Sequence, residues 1–192
     1  KITGGGNLIL GSESFKNAEL KGNTGDGSSI TYELTGGATM ANTNSNRYFR
    51  WTTVGAYVAK GVTLCLSVMY KPVSGADEFC MEIAYTAGYS TSQSWATIKP
   101  TDQLEIEQTD GWVLRYGLWT PPDNATLKLV DMGSGTTHAG TGNYTNKFSL
   151  LHPMLQYGNA PTAWNASSGD YLTQESAKSL FSQTADEIKT EG

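Results

Sequence analysis

Short apolar or alternating runs recur along the chain, separated by clusters of Gly, Asn and Ser. Residues 6–10 (GNLIL), 28–35 (SSITYELT), 47–53 (RYFRWTT), 62–71 (VTLCLSVMYK) and 78–86 (EFCMEIAYT) read as strands. So do 94–98 (SWATI), 112–120 (WVLRYGLWT), 125–131 (ATLKLVD) and 146–157 (NKFSLLHPMLQY). With no helical pattern between them, these turn-bounded runs predict an all-β sandwich of two antiparallel sheets, not a βαβ arrangement. PVSGAD (72–77) predicts a hairpin between its flanking strands, and PPDN (121–124) a turn with proline where φ is already set.

Alternation sorts the side chains. In 62–71, Val62, Leu64, Leu66, Val68 and Tyr70 share one face, and Thr63, Cys65, Ser67 and Met69 the other. In 78–86, Phe79, Met81, Ile83 and Tyr85 oppose Cys80, Glu82 and Ala84. Each strand thus has a dense core face and a face of small, mildly polar groups, the floor that a shallow ligand groove requires.

The end of the chain changes character. YLTQESAKSLFSQTADEIKTE (171–191) is made mostly of good helix formers, and Ala177, Phe181, Thr184 and Ile188 form one apolar stripe at helical spacing. Two readings stand: a helix docked on its own sandwich, or a connector that gathers several copies.

Composition agrees with the strands. Polarity is carried by Ser, Thr, Asn and 22 Gly, with charged residues at only 16% against roughly 25% in ordinary soluble domains. Of the 192 residues, 13 are Lys or Arg and 18 are Asp or Glu, a net charge of −5. That balance excludes a nucleic-acid partner or an anionic membrane surface, both of which require a basic patch. No apolar run approaches the roughly 18 residues of a membrane span, so no membrane insertion is expected. The chain opens at Lys1 and is read as a piece of something longer. A hairpin turning near Gly75 would offset Cys65 and Cys80 by about four residues, roughly 13 Å, too far to bond. Both are expected to be free thiols of a protein made in a reducing cytoplasm.

Catalytic signatures are lacking. The sequence has no G-x-S-x-G elbow, Walker loop, C-x-x-C, H-E-x-x-H or EF-hand loop. His138 and His152 are its only histidines, and neither has a partner at ligand spacing, so no metal and no cofactor are expected. Asp77 with Glu78, Glu105 with Glu107, and Glu82 do not form an obvious facing pair of the kind glycoside hydrolysis uses. The chain is read as not an enzyme.

Aromatic and planar donors remain. Tyr48, Arg50, Trp51 and Trp95 lie on or beside strands rich in Asn and Ser, and Arg115 shares a strand face with Trp119, opposite Leu114, Tyr116 and Leu118. Sugars present apolar C–H faces ringed by hydroxyls, so a flat ring beside fixed hydrogen-bonding groups such as Arg or Glu82 suits them. The candidate ligand-binding set is therefore Tyr48, Arg50, Trp51, Glu82, Trp95, Arg115 and Trp119. Trp112 reads as a structural plug at a strand entry.

LLHPMLQYGNAPTAW (150–164) resembles a segment of tail, baseplate and fibre proteins of phages that infect Gram-positive bacteria. Pro153, Met154, Leu155, Gly158 and Trp164 match its approximate pattern R-P-M-L-E-x-G followed by Trp, with Asp170 beyond. GNLIL, VTLCLSVMYK and DGWVLRYGLWTPPDN look like that family's jelly-roll, carbohydrate-binding-module-like domain, and SQTADEIKTEG is similar to its helical continuations. Gln156 stands where the family has Glu, and Asn165 with Ser167 replaces a Pro-rich stretch. The resemblance implies a jelly-roll β-sandwich over 1–170 and a C-terminal α-helix as connector over 171–192. It further implies a non-catalytic module at a virion's tail tip, made in the host bacterial cytoplasm, that attaches to host cell-wall glycan. Other tail proteins and two further copies, as a homotrimer, are the implied partners, and Trp164 a closing plug. Carbohydrate-binding relatives often hold a structural Ca²⁺, for which Glu13 and Asp131 alone supply too few ligands. The alternatives are a structural tail module that binds no sugar, and an accessory module of a secreted glycoside hydrolase.

Overall fold

A computed structural model of the protein describes residues 6–167. Eleven strands form among them: β1 (Glu19–Asn23), β2 (Ser29–Tyr32), β3 (Ala38–Thr52), β4 (Tyr57–Val58), β5 (Leu64–Gly75), β6 (Phe79–Ala87), β7 (Gln93–Ile98), β8 (Leu104–Glu107), β9 (Val113–Trp119), β10 (Ala125–Ser134) and β11 (Tyr144–Tyr157). Their antiparallel pairings build an all-β sandwich. The first sheet runs β1, the second half of β3, β10, β6, β7, with β4 also on β10. The second runs β2, the first half of β3, β11, β5, β9, β8. The helix expected over 171–192 lies outside the described residues.

β3 belongs to both sheets, and its bend is braced. Asn44 takes φ 49°, a left-handed conformation that Asn tolerates better than most residues. Buried Arg47 spans the bend: its Nε donates to Asn42 Oδ1 at 3.1 Å, and its Nη2 donates to the carbonyls of Ala41 at 2.8 Å and Ser29 at 3.0 Å. Burial lowers the Arg47 pKa from its ordinary value.

Between the sheets, Phe15 packs edge-on against Phe49 and Trp51, with ring centroids 4.9 and 5.1 Å away. Tyr70, Phe79 and Phe148 make a second aromatic group. The core faces read from alternation in β5 and β6 are correct except for Val62, which precedes β5 and is exposed, but the hairpin between these strands is not. β5 continues along β11 as far as Gly75, and the chain then crosses to β6 in the opposite sheet. Both strands offer an apolar face to one core, and alternation cannot tell a neighbour in the same sheet from a partner across the sandwich. Cys65 and Cys80 are free, on different sheets, and burial pushes both thiols up to about 12.

β1, β4 and β8 were not legible because they are short and mostly exposed. Residues 6–10 form no strand beyond a bridge from Ile9 to Thr53. Buried Asn7 acts there as a clasp: its Oδ1 accepts from the N–H of Ile9 at 3.0 Å and of Leu155 at 3.1 Å, and its Nδ2 donates to the carbonyls of Pro153 at 3.0 Å and Asn165 at 2.9 Å. Pro161–Trp164 and the outward-facing Ser67 and Met69 line one cavity. Trp164 is half-buried instead of plugged: its ring stacks on His152 at 4.5 Å and its Nε1 donates to the Pro153 carbonyl.

Candidate functional site

The outer face of the first sheet gathers chemistry from strands far apart in sequence. One rung across it runs Thr97, Glu82, Asp131, Arg50, Glu19, each directly opposite the next. The next rung holds Trp95, Ala84 and Leu129, and on the far side Cys80, Gly133 and Tyr48 are aligned. A Cβ on Gly133 would lie 2.5 Å from the Tyr48 Cα, so only glycine allows β3 and β10 to approach this closely here.

At the centre of this face lies a facing carboxylate pair that sequence spacing could not reveal. Glu82 and Asp131 are opposite one another on β6 and β10 and wholly buried. Asp131 is held by a forked pair of bonds from Arg50, Nε to Oδ1 at 2.8 Å and Nη2 to Oδ2 at 2.9 Å. Burial first, then the negative charge and hydrogen bond of Asp131, push the Glu82 carboxyl up to about 7. Two carboxyls in direct contact, one of them neutralised by an arginine, leave no room for a glycosidic bond between them.

A loop following β10 covers the pair. The His138 backbone N–H donates to the Glu82 carboxylate at 3.2 Å. The Thr137 hydroxyl lies 3.0 Å from the Tyr48 hydroxyl and accepts from Arg50 Nη2 at 3.1 Å. Gly135, which opens the loop at φ 87°, would place a Cβ 2.1 Å from Asn46 Oδ1. Above the buried layer, Trp95 is half-exposed, with its ring centroid 4.7 Å from that of His138 and 5.7 Å from the Arg50 guanidinium carbon. His138 keeps 48% of its side chain exposed and also lines a polar groove with Glu78, Cys80, Lys99 and Tyr144.

Four of the seven expected residues therefore meet on one face: Tyr48, Arg50, Glu82 and Trp95. Glu82 and most of Tyr48 sit beneath the loop and act as its anchors, so the contact with ligand expected of Glu82 is corrected. Three others face inward. Trp51 is 1% exposed, because side chains alternate along a strand and Trp51 cannot share a face with Arg50. Arg115 is buried at the edge of the core, its guanidinium carbon 4.0 Å from the Tyr70 ring centroid, with ion pairs to Asp77 and Glu105. Trp119 tilts against Tyr85 at 4.6 Å. The shared face read for Arg115 and Trp119 is correct, but it points to the core, leaving Leu114, Tyr116 and Leu118 outside. Thr137 and His138 were missed. Their only signal was a Gly- and Thr-rich loop between two strands.

No family model matches the chain, and no curated protein does. Solved structures similar to it include carbohydrate-binding modules and phage tail and baseplate proteins. The enzymatically active domain of tailspike protein 4 of bacteriophage CBA120 is 11% identical, with 79% of this chain and 21% of that one covered and a TM-score of 0.47. The CBM22-1 and GH10 modules of Clostridium thermocellum endo-1,4-β-D-xylanase 10B, complexed with xylohexaose, are 13% identical over 80% of this chain and 29% of that one, at a TM-score of 0.48. The tripod from the baseplate of bacteriophage Tuc2009 is 13% identical over 86% of this chain and 60% of that one, at 0.42. In each of the three the chain spans less than two thirds of the other's length.

Proposed function

We propose that this chain is a non-catalytic glycan-binding module whose site is the outer face of the first sheet. The observation that carries the reading is the half-exposed Trp95 ring, flanked by Arg50 at 5.7 Å and His138 at 4.7 Å. The ring offers a flat apolar surface for a sugar's C–H face, and Arg50 offers donors to its hydroxyls. Asp131 and Glu82 fix Arg50 and the loop from below.

The wider setting belongs to the same proposal. Residues 1–170 form the jelly-roll binding domain and 171–192 a helical connector. The module sits at a phage tail tip beside other tail proteins, is made in the host cytoplasm, and attaches to host cell-wall polysaccharide. A shallow platform binds at about millimolar, roughly −4 kcal/mol. Three copies on one stalk raise avidity by about 10²–10⁴ without new contacts, which gives the stripe Ala177, Phe181, Thr184, Ile188 its purpose.

A second reading, a structural tail module without sugar binding, is favoured by the loop that covers Glu82 and Tyr48. A glycan array on the wild type, followed by titration of Trp95→Ala with the best hit, separates the two. Loss of about tenfold in affinity at unchanged melting temperature is the expected result. A wild type that binds no glycan, or a variant that binds as well as the wild type, sinks the glycan reading.

A further inference from the structure

The outer face of the second sheet holds a groove of about 360 Å³ that the proposed sugar face does not use. One rung crosses it, with Thr31, Thr39, Ser149 and Lys71 side by side on β2, β3, β11 and β5. Trp112, just before β9, is half-exposed and lines the groove instead of plugging the strand entry; the Lys71 ammonium is 6.0 Å from its ring centroid. The Thr39 and Ser149 hydroxyls bond to each other at 2.6 Å. Lys147, Val73 and Leu151 also line the groove, with Glu33. Among the described residues, no ion pair engages Lys71, Lys147 or Glu33.

Two lysines without ion-pair partners, gathered in one groove of a chain whose net charge is −5, give this face a sign opposite to that of the whole. Against the one carboxylate of Glu33 the groove carries a local excess of positive charge. A Trp ring and a row of hydroxyls are apt for a pyranose. The cations select its substituent. Lysine binds an anion as a compact point charge without the bidentate fork of arginine, so charge decides: a phosphate monoester carries about −1.5 to −2 at neutral pH and a carboxylate a single charge.

We propose that this groove is a second glycan subsite, selective for a sugar that carries a phosphate, with the ring on Trp112 and the phosphate between Lys71 and Lys147. It is independent of the Trp95 face, which lies on the other sheet.

The test follows the tryptophan indole N–H resonances of the full chain at low ionic strength during titration with glucose 6-phosphate, glucuronate, glucose and inorganic phosphate. Glucose 6-phosphate is expected to move the Trp112 resonance and to bind about tenfold more tightly than glucose or glucuronate, with binding weakened by added salt. Lys71→Gln with Lys147→Gln, the first half-buried and the second exposed, should reduce its affinity to that of glucose with little change in melting temperature, and Trp95→Ala should leave it unaltered. Equal binding of glucuronate overturns the choice of phosphate. Inorganic phosphate binding as tightly as the sugar phosphate reduces the groove to an anion patch. No movement of Trp112 with any probe removes the subsite, whatever the Trp95 face does.

Discussion

Trp51→Ala should cost about 3–5 kcal/mol of stability and leave glycan binding by the folded fraction unchanged. The side chain is 1% exposed and packs edge-on against Phe15 at 5.1 Å. Its deletion removes a large apolar surface and leaves a space that the flanking strands, hydrogen-bonded on both sides, cannot close. Its Nε1 has no hydrogen-bond partner, so Trp51→Phe should be far milder, since it gives up less buried volume and no polar contact. Chemical denaturation of the variants, read beside glycan titration, checks both halves. A Trp51→Ala protein as stable as the parent, or one that folds but no longer binds, would place the side chain outside the core.

The second large effect is on pH dependence. With its carboxyl pushed up to about 7, Glu82 in the native state holds a proton that the unfolded chain, near 4.3, releases. Its contribution is therefore fully present below the unfolded value and is lost as pH rises from about 4.5 to 7. The groups that face it are Asp131, with Arg50 behind, and the His138 loop. Glu82→Gln, neutral throughout and able to donate to Asp131, should flatten this fall and melt several degrees above the parent at pH 8, a gain of a few kcal/mol. Melting curves of the two proteins between pH 4 and 8 decide it, and parallel curves would refute it.

The residues explain what was legible. Inward and outward sets in β5 and β6 depend only on the period of a strand, which is written in VTLCLSVMYK and EFCMEIAYT. Which strands pair depends on contacts between distant segments, and that is why the facing of Glu82 with Asp131 was invisible while Glu82 alone could be seen. The same period separates Arg50 from Trp51, so the grouping of these neighbours as one site was open to correction from the sequence itself. Arg115 and Trp119 show the harder case. Their face was found, but Leu114, Tyr116 and Leu118 opposite look more like a core than they do. The Thr137–His138 loop offers no periodicity at all, and its position is set by the bonds it makes to Glu82, Arg50 and Tyr48.

The Asn7 clasp has a mechanical consequence. Asn7 and Asn165 are joined at 2.9 Å, so the strand-bearing part of the chain is entered and left at neighbouring points. Threaded into a longer polypeptide, such a unit hangs like a pendant from a cord and adds almost nothing to the cord's length. Tension pulling its two flanks apart would fall first on the few bonds that tie Asn7 to Asn165 and to the end of β11, ahead of the strand ladders.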